Sequence, residues 1–199
     1  MNYINYSHGA FLYKDVHFTS QVTNVQIPFE KLLVEQNFDT ILEIGTLFGG
    51  LTFILNDIRN AHNLKAEIHT VDLDIKPWLV EEFPKLNINY LHYDVNYEPF
   101  KIFINEFVPT KGKVLILCDG GNKVYEFNLI SDYIKPGDFI MAHDYISDKD
   151  KFESEYLDKI WNFHEVCFDD IRLAVERNNL ELYTSVDFDK YVWACYQKK

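Results

Sequence analysis

Positive charge is scarce in this chain. Lys and Arg number 19 against 31 Asp and Glu, for a net charge of −12. No cluster of basic residues builds a local groove, so a polyanion such as nucleic acid finds no field to recruit it. Cysteine is scarce as well. Cys118, Cys167 and Cys195 sit singly in or beside apolar runs, and none forms a CxxC pair. An odd, scattered set reads as reduced thiols in a cytoplasmic setting rather than a disulfide framework. Apolar runs long enough to span a bilayer are missing, so no membrane partner is expected. The amino terminus has no charged stretch followed by an apolar core, so no signal peptide is expected. Repeats and low-complexity tracts are also lacking.

Apolar residues are plentiful, at 47% of 199, and aromatics make up 16%. That length and content suit one globular domain over residues 1–199 with a sizeable core. Its first 36 residues form a cap and helix segment. Residues 1–28 are irregular and rich in aromatics (Tyr3, Tyr6, Phe11, Tyr13, Phe18), with His8 and His17 among them. This reads as packing over the sheet, with a lid or a dimer contact as alternatives. A helix is expected from Pro28, through the apolar positions Phe29, Leu32 and Leu33.

From residue 37 the pattern alternates. Strands are expected at residues 40–44, 67–72, 87–92, 113–118 and 138–142. Helices are expected at residues 49–61, 77–83, 97–107 and 123–134. A mostly helical stretch over 151–178 follows, broken near Val166, and then two strands at 180–185 and 191–197 make an antiparallel edge hairpin. Strand–helix alternation means a parallel sheet covered on both faces. Ligands of such sheets bind beyond the carboxyl ends of the strands. Each strand end here carries polar residues: Gly45-Thr46, Asp72, Asp94, Asp119 and His143-Asp144.

The stretch Glu43-Ile44-Gly45-Thr46-Leu47-Phe48-Gly49-Gly50 joins the first of these strands to its helix. A nicotinamide loop, GxGxxG, needs a glycine where Leu47 stands. A phosphate loop, GxxxxGK[ST], needs a lysine where Leu51 stands. Both motifs fail at a residue that touches the ligand.

The remaining pattern, Glu-x-Gly-x-x-x-Gly-Gly, comes with Thr70-Val71-Asp72, Cys118-Asp119-Gly120-Gly121-Asn122-Lys123 and Met141-Ala142-His143-Asp144-Tyr145. In that order the four resemble the class I S-adenosylmethionine-dependent methyltransferases over about residues 38–195. Within that class they are most similar to the catechol O-methyltransferase-like and cephalosporin hydroxylase/sugar O-methyltransferase-like groups. The resemblance implies a Rossmann-like, doubly wound, mostly parallel seven-stranded sheet with an antiparallel edge hairpin. It implies S-adenosylmethionine as cofactor, with Glu43, Gly45, Thr46, Gly49, Asp72, Asp94 and Asp119 around it. Glu43 and Gly45 would line the methionine part, Asp72 would accept the ribose hydroxyls, and Asp94 would lie near the adenine.

Methyl transfer from a sulfonium needs a placed nucleophile and somewhere for its proton to go. Asp119 and the pair His143-Asp144 end adjacent strands, so their side chains can converge. Two carboxylates with an imidazole suit Mg²⁺ or another divalent cation. The resemblance implies a metal here, although the family pairs two acids, or an acid and an amide, where this chain has His-Asp. Without a metal, His143 is a candidate base, as is Lys123, whose spacing from Asp119 is longer by one than in the catechol type. Trp161, Phe163, Phe168 and Tyr145 are candidate walls of an acceptor pocket, and Gln26 a candidate cofactor contact. The expected function is methyl transfer to a hydroxyl of a small molecule, sugar or natural-product-like, by a cytoplasmic enzyme that can pair as a homodimer. The alternative is a methyltransferase-fold scaffold without catalysis.

Overall fold

The computed structural model describes residues 10–15 and 17–199. Tyr3, Tyr6 and His8 lie outside the described residues. The described chain opens with a small antiparallel hairpin, β1 (Phe11–Tyr13) and β2 (His17–Thr19), followed by helix α1 (Gln26–Gln36). It then alternates β3 (Thr40–Ile44), α2 (Gly50–Ala61), β4 (Glu67–Asp72), α3 (Pro77–Glu82), β5 (Ile88–His92) and α4 (Glu98–Phe107). β6 (Val114–Cys118), α5 (Lys123–Ile130) and β7 (Phe139–His143) complete the alternation. A short strand β8 (Tyr145–Ile146) and a single helical turn α6 (Lys149–Lys151) lead to β9 (Val166–Cys167), which pairs with β8. Helix α7 (Phe168–Arg177), β10 (Leu180–Leu182) and β11 (Trp193–Lys198) follow.

One seven-stranded sheet has the order β10-β11-β7-β6-β3-β4-β5. β3 to β7 without the small β-pairs run parallel, while β11 runs antiparallel to β7 and β10 antiparallel to β11. This is the doubly wound, mostly parallel sheet with an edge hairpin that the sequence pattern predicts. Every residue of β3, β6 and β7 is buried, as a sheet covered on both faces requires. On one face Leu115 and Leu117 pack with Leu32, Leu33, Ile54 and Leu55 from α1 and α2. On the other, Ile116 and Cys118 pack with Ile104, Phe127 and Ile171 from α4, α5 and α7.

Four sequence expectations change. The first edge strand ends at Leu182 rather than 185. The first helix starts at Gln26, two residues before Pro28, so the proline sits inside the first turn, where its missing N–H costs nothing. α5 stops at Ile130 rather than 134, because Ser131 turns the chain towards the Lys135-Pro136-Gly137 stop. The largest difference lies at 151–178. Only a short π-helical turn, Phe152–Tyr156, follows α6, and residues 157–165 are irregular. Trp161 turns inward from this loop and is buried. A fresh start at Cys167, capped reciprocally with Asp170, then begins α7.

Candidate functional site

Strand register builds the site. Ile44 pairs with both Val71 and Cys118, and Cys118 pairs with Ala142. The next residues in line, Gly45, Asp72, Asp119 and His143, therefore share one rim. The sheet order reverses between β3 and β6, which is where such folds open a crevice. A cleft of about 640 Å³ lies there, with Gly45, Asp72, Asp94, Asp119, Lys123 and Asp144 among its lining.

Gly45 has φ +92°, and a Cβ on it would stand 2.1 Å from the Asp119 carbonyl oxygen. No other residue fits that crossing of β3 and β6. Past it, the Leu47 amide donates to Asp72 Oδ2 (2.8 Å) and the Asp74 amide to Asp72 Oδ1 (2.8 Å). These two bonds hold the Asp72 carboxylate at the rim and leave each oxygen a second lone pair. Asp94 Oδ1 is held by the Asn96 backbone and side-chain N–H groups, both at 2.9 Å.

Glu43, Thr46 and Gly49 are absent from the cleft lining. Glu43 is buried beneath the loop, where Oε2 accepts from the hydroxyls of Thr52 and Thr70. Thr70 in turn meets the Thr46 hydroxyl at 2.6 Å. Glu43 Oε1 is buried with no partner among the described residues. Burial pushes this carboxyl up to about 8, against the two threonine bonds that pull it down, while Asp119 and Asp72 add to the rise. In this place Glu43 ties the glycine turn to β4 from below. Gln26 also stands apart from the lining, as do Trp161, Phe168 and Tyr145, whereas Phe163 is part of it.

The other end of the cleft is a network of charges. His143 Nδ1 is 2.8 Å from Asp119 Oδ1. Asp119 Oδ2 accepts from Gln21 Nε2 (2.7 Å), and Gln21 Oε1 accepts from the indole N–H of Trp193 (2.8 Å). Asp144 has φ +53°. It accepts from the Trp161 indole at Oδ1 (2.6 Å) and pairs with Lys123 Nζ at Oδ2 (2.9 Å). Lys123 also reaches Glu165 Oε2 (2.9 Å) and the Gly120 carbonyl (3.1 Å). Burial alone pushes the His143 imidazole down, but the charges of Asp119 and Asp144 outweigh it and hold the group above its usual range. Lys123 behaves likewise. Burial pulls it down, and Asp119, Asp144 and Glu165 lift it above the usual lysine range, so it is an ammonium at neutral pH.

Asp119, His143 and Asp144, expected together from the sequence, do come together. One ligand-type atom from each lies within 4.8 Å of the others. The structure adds Gln21, Glu165, Trp193 and Glu126. The Glu126 carboxylate accepts from the Gly120 and Asn122 amides (3.0 and 3.1 Å), and burial pushes it up to about 7. The spacing from Gly120 to Glu126 is a local turn signal that sequence reading can use. Gln21 and Glu165 carry no local signal, because they arrive through tertiary contacts 98 and 42 residues away from their partners.

No protein-family model matches the sequence, and no curated protein sequence does. Solved structures do match in fold. A ligand-free structure of CmcI is 14% identical, covers 91% of this chain and 73% of its own, and superposes with a TM-score of 0.62. CmcI with Mg and SAM is 16% identical over 91% of this chain and 74% of that one, with a TM-score of 0.59. The MycE methyltransferase from the mycinamycin biosynthetic pathway, in complex with Mg, SAH and mycinamycin VI, is 16% identical. It covers 87% of this chain and 47% of its own, with a TM-score of 0.51. This chain therefore has the fold of the class I S-adenosylmethionine-dependent methyltransferases, as its four motifs lead one to expect.

Proposed function

We propose that this chain transfers a methyl group from S-adenosylmethionine to a hydroxyl of a small molecule of the sugar or natural-product kind. One observation carries the reading. A single cleft joins a carboxylate rim suited to a nucleoside with a second end that holds an Asp–His pair, its imidazole buried, and a lysine. Its volume is in the range of small-ligand sites. The solved structures of like fold were found with SAM, SAH or Mg, which supports the cofactor class.

S-adenosylmethionine brings an activated methyl on a sulfonium and, when bound, would give up that methyl as its S–CH₃ bond breaks to leave a neutral thioether. The chain supplies the rest. Asp72 has lone pairs left to accept from vicinal ribose hydroxyls, and Asp94 closes the far wall. The proton of the acceptor hydroxyl would pass to the Asp119–His143 pair. Lys123, an ammonium whose N–H groups are held by Asp144, Glu165 and Gly120, adds positive potential beside the acceptor oxygen without a hydrogen bond to it.

The divalent cation expected from the sequence is not part of this proposal. Each oxygen of Asp119 and Asp144 is oriented by one donor from the chain, and the Lys123 ammonium stands against Asp144 with a positive charge that a divalent ion would have to face. That donor set does not suit a hard divalent ion.

The test is calorimetric titration of S-adenosylmethionine and its demethylated product into wild type and Asp72→Ala. Binding in the micromolar range, weakened about tenfold or more in the variant, is expected, since a lost charged hydrogen bond costs about 1.5–3 kcal/mol. Absence of binding by either form would overturn the reading and favour the scaffold alternative.

A further inference from the structure

The carboxylates that sequence reading assigns to a metal are neutralised by the chain itself. Lys123 Nζ has three N–H groups and finds three acceptors. These are Asp144 Oδ2 (2.9 Å), Glu165 Oε2 (2.9 Å) and the Gly120 carbonyl (3.1 Å). The ammonium's donors are thereby saturated. The side chains of Lys123 and Asp144 are 8% and 2% exposed, so water screens this charge poorly. Each of the other oxygens is also oriented by one donor from the chain: Asp144 Oδ1 by Trp161, Asp119 Oδ1 by His143, and Asp119 Oδ2 by Gln21.

The lysine is held in place from its backbone outward. Lys123 is the first residue of α5, and the Asn122 side chain caps that helix by accepting from the Tyr125 amide (3.1 Å). Asp144 sits at the left-handed residue between β7 and β8, and Glu165 immediately precedes β9. One ammonium thus ties α5, the β7–β8 corner and the loop before β9.

We propose that the Lys123 ammonium is the resident cation of this site and that it excludes a divalent ion. A divalent ion needs several oxygens free to close around it, and here it would have to take Asp144 from the lysine while standing beside a like charge. Glu165 strengthens the hold on the lysine. It adds the second carboxylate that a lone Lys–Asp pair lacks, and its oxygen lies within hydrogen-bond reach of Nζ. The inference concerns the cation alone and holds whether or not the chain transfers methyl groups.

The experiment titrates Mn²⁺ into the metal-stripped full chain, without cofactor, and reads free Mn²⁺ by electron paramagnetic resonance. Wild type is compared with D144N, K123M and the double variant K123M/D144N. Wild type is expected to show only weak surface binding that D144N leaves unchanged. K123M is expected to gain one site at least tenfold tighter than any in wild type, and the double variant to lose it. One tight Mn²⁺ site in wild type that D144N abolishes would overturn the proposal. So would a folded K123M, judged by its circular dichroism and cooperative melting, that gains no site. If K123M does not fold, K123Q, which keeps a hydrogen-bond donor, is read by the same criteria. The wild-type and D144N arm decides on its own if neither variant folds.

Discussion

Gln21 is a small residue-scale device with two fixed ends. An indole N–H can only donate, so Trp193 sets which end of the Gln21 amide carries oxygen. The nitrogen must then point at Asp119, where it donates to Oδ2. Gln21→Met removes both bonds and strands the buried Trp193 donor. A loss of roughly 2–4 kcal/mol of stability is expected from two such bonds, read by urea denaturation of the full chain. Gln21→Glu puts a further carboxyl against Asp119 and is expected to cost progressively more as pH rises and that buried group ionises.

Glu43 is the other residue with a measurable signature. Its carboxyl is pushed up to about 8 in the folded chain, from an ordinary 4.5. Between those two values the unfolded chain releases the proton and the folded chain keeps it. Stability contributed through Glu43 therefore falls as pH rises from about 4.5 to about 8, and levels off above that. At roughly 1.4 kcal/mol per unit, the full span is at most on the order of 5 kcal/mol. Glu43→Gln mimics the protonated acid, so the difference between wild-type and variant stability is expected to grow across that window. Denaturation curves at pH 5, 6.5 and 8.5 check it, and a constant difference would contradict the assigned shift.

At the scale of elements, the strap over residues 17–25, which begins with the paired strand β2, lies where only a glycine leaves room for it. A Cβ on Gly50 would stand 2.2 Å from Thr19 Oγ1 and 2.4 Å from the Phe18 carbonyl oxygen. The strap therefore lies directly on the start of α2. Gly50→Ala gains up to about 1 kcal/mol of helix propensity, but overpacking of this kind costs about 1–3 kcal/mol. The clash is with backbone, so the cost is expected to win, with a lower melting temperature and faster proteolytic cutting within residues 17–25. Elements also explain what the sequence could and could not disclose. β3, β4, β6 and β7 stand within one residue of their expected bounds; in β6 burial on both faces writes an unbroken apolar run, whereas β3 and β4 carry Glu43, His69 and Thr70 among their apolar residues. Residues 151–165 deceived the helical reading. Their apolar positions, Phe152, Tyr156 and Trp161, serve a separate cluster with Val22, Ile146 and Val192 rather than one helix face. Periodicity has no way to distinguish the two. The strap hairpin was hidden for a similar reason, since its strands are three residues each.

The whole molecule turns on the rim that aligned strands create. Gly45, Asp72, Asp119 and His143 were legible in the sequence because register carries residues one past each strand end to the same level. Gln21 and Glu165 were not, since only the folded chain brings the strap and the loop before β9 to that rim. The rim spans elements from both halves of the sheet, so a ligand seated in the cleft binds only the assembled fold. Linkage then makes the ligand a stabiliser of the entire domain, by about 2.7 kcal/mol at a concentration a hundred times its dissociation constant. For a chain of this length each kcal/mol moves the melting temperature by about 2–4 °C. The demethylated cofactor product at that concentration is therefore expected to raise the melting temperature by roughly 5–10 °C. Asp72→Ala, which removes a rim carboxylate held by two loop amides, is expected to lose most of that rise at the same ligand concentration. A scanning calorimetry experiment with both chains separates the outcomes. An equal rise in wild type and variant would place the ligand away from this rim, and a rise in wild type alone would tie it to Asp72.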